Sequence, residues 1–292
     1  STGSAAAIFS GLAPIGIGTD TAGSVRIPAA WHGLVALKPS LGMISMNGVI
    51  PLSKSNDTLG VISKCVKDAR LIFQILSEKK YDFSSNQSNQ VQLVLVNNFT
   101  FKRLKDSHKT IIEDLILKLS KNGFQLSERS FVELNQINSL IKKKGSIVNY
   151  EAWNYWKNRL KNNFSKIDPF VKSRLFQGKN IKKDKAVEIE EKILLLKKQF
   201  LSKINEDLTI FFMPTISFPP PKLKKLKSEK DYHYYNNLVL SETRYANILN
   251  LCVVSLPLKK LGNEWLSISL FAKPKSENIL LNIAEKIENI IC

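Results

Sequence analysis

The chain has few of the residues that build metal centres and disulfide bridges. It has three cysteines and three histidines in 292 residues. The cysteines are too few and too scattered for a disulfide framework or a zinc site: Cys65, Cys252 and Cys292. The histidines have no acidic or cysteine neighbour at ligand spacing: His32, His108 and His233. These residues therefore predict no metal site, and no organic cofactor is expected either. Thiols this sparse are typical of a protein of the reducing cytoplasm, where we expect this one.

Long apolar runs are also missing. No eighteen consecutive apolar residues occur, so no membrane span is predicted. Hydrophobic residues make up 43% and charged residues 23% of the chain, values typical of a soluble globular protein. The net charge of +18 is concentrated between residues 101 and 200, which carry 23 Lys and Arg against 11 Asp and Glu. A basic middle could attract nucleic acid, but lysines on solvated helix faces are the favoured interpretation.

One glycine-rich turn carries the strongest functional signal. Residues 18–29 read GTDTAGSVRIPA, with Ser24 directly after Gly23 and shortly before Pro28. A nucleophilic hydroxyl needs a tight turn to present it, with backbone N–H groups nearby to hold the oxyanion formed on attack at a carbonyl. Small residues at Thr21, Ala22 and Gly23 suit both needs. The pattern predicts a serine enzyme that cleaves amides.

Other glycine motifs fit this turn poorly. A phosphate-binding P-loop requires a lysine where Ser24 stands. A dinucleotide fingerprint requires a third glycine where Thr21 stands. A nucleophile elbow requires glycines at the positions of Ala22 and Arg26. A plain turn with a surface serine stays open as the non-functional interpretation.

Several spaced stretches, in one order, resemble the amidase signature family. The match is dense over residues 1–77, sparse over 91–205 and patchy from 208 onward. Beyond the serine turn it rests on residues 1–7 (STGSAAA), 34–40 (LVALKPS), 48–51 (GVIP), 56–60 (NDTLG), 212–215 (FMPT), 243–247 (TRYAN) and 254–257 (VSLP). A lone glycine–serine turn would be a weak signal, but this set is specific.

The resemblance implies a Ser–cis-Ser–Lys triad and a small-molecule amide substrate. Ser24 matches the nucleophile, and the backbone N–H groups of Thr21, Ala22, Gly23 and Ser24 match the oxyanion hole. Residues that support the loop are matched by Asp20, Arg26 and Ser1, the last of which follows the position of the cis serine. That relay serine falls roughly 24 residues before the nucleophile, one position before Ser1, and the lysine lies further upstream. The 292 residues are therefore expected to be an N-terminally truncated amidase signature domain without relay serine and lysine.

Alternatives remain within and outside the family. A glutamyl-tRNA(Gln) amidotransferase A subunit would bring tRNA and partner subunits, but Asp57-Thr58 disfavours it because a glutamine usually follows that aspartate. Thr21-Ala22 also resembles allophanate hydrolases. A non-catalytic relative could bind an acidic partner through the basic middle. A homo-oligomer is possible, and no membrane partner is expected.

The predicted fold is α/β, with a mixed, largely parallel central sheet surrounded by helices and a helical insertion. We expect a single domain composed of a catalytic core segment (1–80), a variable helical region (91–205) and a C-terminal core part (208–292). Apolar periodicity predicts strands at 14–17, 91–96, 124–126, 208–213, 253–256 and 267–271, and helices at 65–76, 107–119, 238–251 and 276–291, with helical character over 132–205. Residues 81–90 read as a linker and 222–230 as a mobile loop.

Overall fold

A twisted sheet of eight strands runs through the molecule. The structure, a computed structural model, describes residues 1–78, 91–204 and 208–291. Within these ranges the strands are β1 (Ile15–Asp20), β2 (Val35–Lys38), β3 (Thr58–Ser63), β4 (Gln92–Val96), β5 (Gln125–Arg129), β6 (Thr209–Pro214), β7 (Cys252–Leu261) and β8 (Glu264–Ala272). Their spatial order is β1-β3-β2-β7-β8-β6-β4-β5. The predicted 81–90 linker lies outside the described residues.

Helices cover both faces of the sheet. They are α1 (Thr2–Phe9), α2 (Arg26–His32), α3 (Val66–Ser77), α4 (Phe99–Lys102), α5 (Asp106–Lys121), α6 (Val132–Lys144), α7 (Ile147–Trp156), α8 (Pro169–Gln177), α9 (Lys183–Lys203), α10 (Glu229–Thr243), α11 (Tyr245–Ile248) and α12 (Glu277–Ile291). One face packs on α3, α5 and α12, and the other on α1, α2, α6, α9 and α11. The predicted α/β fold with a helix-covered mixed sheet is confirmed.

The expectation of a largely parallel sheet is wrong. Only β4 pairs in parallel, with β5 and with β6, and the other pairings among described residues are antiparallel. The predicted β4–α5–β5 crossover is present and gives parallel strands, as such a connection requires. The parallel pairing of this unit does not extend to the strands on the other side of β6. A tight turn at Gly262 joins β7 to β8 as a hairpin, which must be antiparallel.

Strand β3, which lies between β1 and β2, was not predicted. It is buried on both faces, so it shows no apolar alternation, and Gly60 breaks its short apolar run. The structure shows why a glycine stands at this position: a Cβ on Gly60 would lie 2.7 Å from the carbonyl oxygen of Leu37 on β2. Because the two strands approach this closely, β3 needs a glycine where a strand usually has a larger apolar residue.

The C-terminal helices differ from prediction in one useful detail. The expected helix over 238–251 begins earlier, at Glu229, and breaks at Arg244 into α10 and α11. The predicted loop at 222–230 therefore ends at Ser228, which caps α10 by accepting from the amide of Asp231. The break at Arg244 brings the residues on either side of it, Thr243 and Asn247, to the predicted serine turn.

Candidate active site

The serine turn connects the end of β1 to the start of α2. Gly23 adopts φ = +123°, and a Cβ at this position would overlap the Thr243 side chain, so both the backbone and the space require glycine. Ser24 is half-buried at the turn. Its Oγ donates a hydrogen bond to the carbonyl oxygen of Thr19. No carboxylate, imidazole or amine of the described residues hydrogen-bonds to this hydroxyl.

Asp20 and Arg26 form a buried ion pair across the turn. Both side chains are fully buried, and Arg26 Nε and Nη2 each donate to the Asp20 carboxylate at 3.0 Å. Burial alone would raise the pKa of Asp20, but Arg26, assisted by Lys38 and Asn247, outweighs it and lowers this pKa to about 2. Asp20 is thus an anion near neutral pH, and its contacts brace the loop.

The same pair fastens the turn to the corner between α10 and α11. Arg26 Nη1 donates to the Thr243 carbonyl oxygen at 3.0 Å, and Nη2 donates to Asn247 Oδ1 at 2.7 Å. Asn247 Nδ2 in turn donates to the main-chain and side-chain oxygens of Asp20, at 2.7 and 2.9 Å. Every polar group of this cluster is paired, which makes it a rigid support for the serine.

The predicted oxyanion donors differ in their surroundings. The Gly23 amide donates to Asp20 Oδ1 at 2.8 Å, so in this structure it braces the loop. The amides of Ala22 and Ser24 have no acceptor among the described residues. The Ala22 carbonyl accepts from Thr243 Oγ1 at 2.5 Å, which fixes the peptide plane that precedes Gly23. The Thr21 amide likewise has no acceptor among the described residues, so of the four predicted donors Gly23 alone is engaged there.

Thr21 is held from a third direction. Its Oγ1 donates to Asp57 Oδ1 at 2.6 Å, and both residues are buried. The second oxygen of Asp57 accepts from the amides of Leu52 and Ser53, at 2.7 and 2.9 Å. Asp57 therefore connects the serine turn to the loop 52–57 that precedes β3.

Ser1, the last predicted supporting residue, lies just before α1, where its side chain packs on the backbone of Gly18 in β1. His32 Nδ1 lies 2.7 Å from the carbonyl oxygen of Pro28, one turn earlier on α2. Lys38 is fully buried on β2, and its Nζ donates to the Pro39 carbonyl oxygen at 2.7 Å. Burial, followed by the charge of Arg26, lowers the pKa of Lys38 to about 8.

Three residues of this site were not predicted as such: Asp57, Thr243 and Asn247. All three fall inside stretches that carried the family resemblance, so the sequence contained a signal for them. What it lacked was the three-dimensional link, because Thr243 and Asn247 lie more than 200 residues from the turn.

A second cluster has the residue types of a hydrolase triad but not the geometry. Ser173 Oγ donates to Glu229 and lies 2.8 Å from His233 Nε2. Glu229 Oε1 lies 3.4 Å from the same ring nitrogen, whereas Nδ1 faces Gln177. In a triad the serine and the acid occupy opposite nitrogens. This cluster instead joins α8 to α10.

Neither a metal site nor a membrane span is visible in the described parts of the chain. No group of three or more histidine, cysteine, aspartate or glutamate side chains there is arranged to hold a metal ion. No helix among residues 1–78, 91–204 and 208–291 is both long and apolar enough to cross a bilayer.

The eight-stranded sheet covered by helices on both faces defines a mixed α/β protein, and comparison identifies the family. The family model described as Amidase matches residues 1–281, and the chain belongs to this family. The similarity covers the serine turn, the loop 52–57 and the α10–α11 corner together.

The sequence identity to individual relatives is low. The chain is 25% identical over 297 residues to 2-amino-5-chloromuconic acid deaminase of Comamonas testosteroni, covering 100% of this chain and 63% of that protein. It is 36% identical over 139 residues to indoleacetamide hydrolase of Pseudomonas syringae pv. syringae, a match that covers 47% of this chain and 31% of that protein. A crystal structure of an amidase superposes with a TM-score of 0.87 at 22% sequence identity, and the match covers 99% of this chain and 66% of that one. The chain spans less than two thirds of the length of each of these proteins.

Proposed function

We propose that the full-length protein hydrolyses a carboxamide or related C–N bond through an acyl-enzyme on Ser24. The observation that carries this proposal is the half-buried Ser24 hydroxyl next to the unengaged amides of Ala22 and Ser24, on a turn fixed by Asp20 and Arg26. Family membership supports the reaction class, and the names of the relatives, a deaminase and an amide hydrolase, support a small C–N substrate.

The reaction proceeds in two balanced steps. Ser24 Oγ loses its proton to a base and forms a C–O bond with the substrate carbonyl carbon, and the C–N bond breaks as the leaving nitrogen takes a proton. Water then attacks the ester carbonyl and releases the carboxylic acid and the free hydroxyl. The open amides stabilise the oxyanion in both steps, and one such donor contributes about 3 kcal/mol.

Asp20 is not the base in this scheme. Its oxygens accept hydrogen bonds from Gly23, Arg26 and Asn247, and its pKa of about 2 makes it a poor proton acceptor near neutral pH. The family resemblance assigns proton transfer to a serine and a lysine, and the chain spans less than two thirds of the length of its relatives. We therefore propose the activity for the full-length protein rather than for residues 1–292 alone.

The test is turnover by the full-length protein. Ammonia release is measured over a panel of small aliphatic and aromatic carboxamides, for the wild type, Ser24→Ala and the control Ser45→Ala, which alters an exposed serine outside the turn. The proposal predicts that Ser24→Ala loses at least about 10³-fold in kcat and that Ser45→Ala matches the wild type. Wild-type turnover that survives in Ser24→Ala would refute it, as would a folded wild type inert on every amide.

A further inference from the structure

A carboxylate from the helical region reaches the loop that holds the serine turn. Glu151 lies on α7, in the part of the chain with the sparsest resemblance to the family. Its Oε2 accepts a hydrogen bond from Ser53 Oγ at 2.5 Å and one from the Ser55 amide at 3.2 Å. One side chain thus ties α7 to two positions of the loop 52–57.

The loop transmits this tie to the serine turn. The Ser53 amide donates to Asp57 Oδ2, and Asp57 Oδ1 accepts from Thr21 Oγ1. Only 1% of Ser53, 3% of Asp57 and 5% of Thr21 is exposed, so water cannot readily replace these bonds. An unbroken chain of hydrogen bonds runs from Glu151 to Thr21, whose neighbour Ala22 supplies an open amide.

We propose that Glu151 is a positioning residue for the oxyanion-binding turn, a role that rests on the proposed function. Its carboxylate fixes the loop 52–57, and the loop fixes Asp57 and then Thr21. Because oxyanion donors must match a developing charge to within a fraction of an ångström, a small displacement of Thr21 costs rate rather than substrate affinity.

The loop has no equal substitute for this acceptor. Ser53 Oγ is otherwise in contact only with the side-chain amide of Asn56, at 3.3 Å, and that amide is itself a donor. Removing Glu151 leaves the buried Ser53 hydroxyl without its acceptor, whereas the exposed Ser55 amide can bond to water. The loop is then expected to shift at Ser53, whose own amide bonds Asp57.

Three variants of the full-length enzyme test the proposal. Glu151→Ala removes the acceptor, and Glu151→Gln keeps an oxygen that can accept both bonds. Glu188→Ala is the matched control, because it removes a carboxylate on α9 that bonds Lys192 at 2.8 Å and pairs with Lys144 but does not touch the loop. We expect Glu151→Ala to lower kcat about tenfold with KM changed less than about twofold, Glu151→Gln to restore most of kcat, and Glu188→Ala to match the wild type.

Amide hydrogen exchange separates this proposal from the proposed function. The amides of Leu52, Ser53 and Asp57 are bonded within the loop, so Glu151→Ala should accelerate their exchange even in a protein without turnover, and Glu188→Ala should not. If exchange is faster in Glu151→Ala but the wild type is inert on every amide, the amidase proposal is refuted and the contact between Glu151 and the loop 52–57 is supported. Unchanged exchange, or a kcat that Glu151→Ala leaves intact, would overturn the positioning role. So would a fall in kcat that Glu151→Gln shares in full.

Discussion

Arg26 and Asn247 lie 221 positions apart, yet the guanidinium Nη2 of one donates to the side-chain oxygen of the other at 2.7 Å. Asp20 completes the cluster, since it accepts from both residues. The serine turn therefore does not depend on its own short sequence alone for rigidity. It is also held by the corner between α10 and α11, which lies more than 200 residues further along the chain.

Removing the charge of Asp20 should destabilise the whole fold. Asp20→Asn keeps the shape of the side chain but leaves the Arg26 guanidinium buried without a counter-charge, which costs about 3–5 kcal/mol. The measurement is urea unfolding at pH 7. As the control, Asp106→Asn alters an exposed carboxylate that pairs with Lys109 at 2.9 Å and should barely change the midpoint. Equal effects of the two variants would show that the buried pair has no special weight.

The same carboxylate predicts an acid limit. The pKa of Asp20 is lowered to about 2 in the folded state, so its contribution is complete above the ordinary aspartate pKa of about 4 and is lost as the pH falls toward 2. Free energies of unfolding, measured from pH 5 to pH 2.5, should therefore converge for the wild type and Asp20→Asn. A constant difference between them over that interval would contradict the pairing.

Lys38 predicts a rise of stability with pH as well, but in the alkaline range. Its folded pKa is lowered to about 8, below the ordinary value of 10.5, so the unfolded state binds more protons between these limits and stability rises with pH. Lys38→Met removes that rise. Between pH 7.5 and pH 10.5, we expect the free energy of unfolding of the wild type to rise by about 3 kcal/mol relative to that of Lys38→Met. Comparison with the variant cancels groups that titrate in both proteins, and parallel pH profiles would disprove the lowered pKa.

Gly23 and Gly123 offer a matched test of the turn geometry. Both have positive φ, but a Cβ on Gly23 would overlap Thr243, whereas a Cβ on Gly123 would meet nothing within 4 Å. Gly123→Ala should cost only backbone strain of about 1–3 kcal/mol, and Gly23→Ala should cost more because a collision is added. Thermal and urea unfolding give the order of the two variants. Gly23→Ala at or below the cost of Gly123→Ala would place Thr243 away from the turn.

Thr243→Val isolates the contact that fixes the Ala22 peptide. Valine fills the same volume but cannot donate to the Ala22 carbonyl, so the neighbouring amides lose orientation. In the full-length protein we expect kcat to fall about tenfold with little change in KM. Thr110→Val, which alters an exposed hydroxyl on α5 bonded to the Asp106 carbonyl, is the control. An unaffected kcat in Thr243→Val would remove this contact from the account.

The parts of the site that the sequence predicts are those that lie close together in it. Ser24, Asp20 and Arg26 occupy one seven-residue stretch, so spacing and resemblance suffice to bring them together. The partners Thr243 and Asn247 depend on how α10 breaks at Arg244 and where it packs. Glu151 depends on how the helical region folds back onto a loop nearly 100 residues earlier, and no local pattern encodes that.

The fold shows the same division. The β4–α5–β5 unit follows from local periodicity and was predicted correctly, together with its parallel pairing. Apart from the β7–β8 hairpin, the antiparallel pairings join strands far apart in the chain, such as β2 and β7, which local patterns do not specify. At β3 the close approach to β2 requires a glycine at position 60, which breaks the short apolar run that would have indicated a buried strand.

Covalent labelling of Ser24 tests the central claim most directly. The full-length protein is treated with a fluorophosphonate probe, and the modified residue is located by peptide mass spectrometry in the wild type, Ser24→Ala and Ser45→Ala. The account predicts an adduct on Ser24 in the wild type and in Ser45→Ala, and none in Ser24→Ala. A wild type that stays unmodified at Ser24, or an adduct elsewhere that persists in Ser24→Ala, would contradict it.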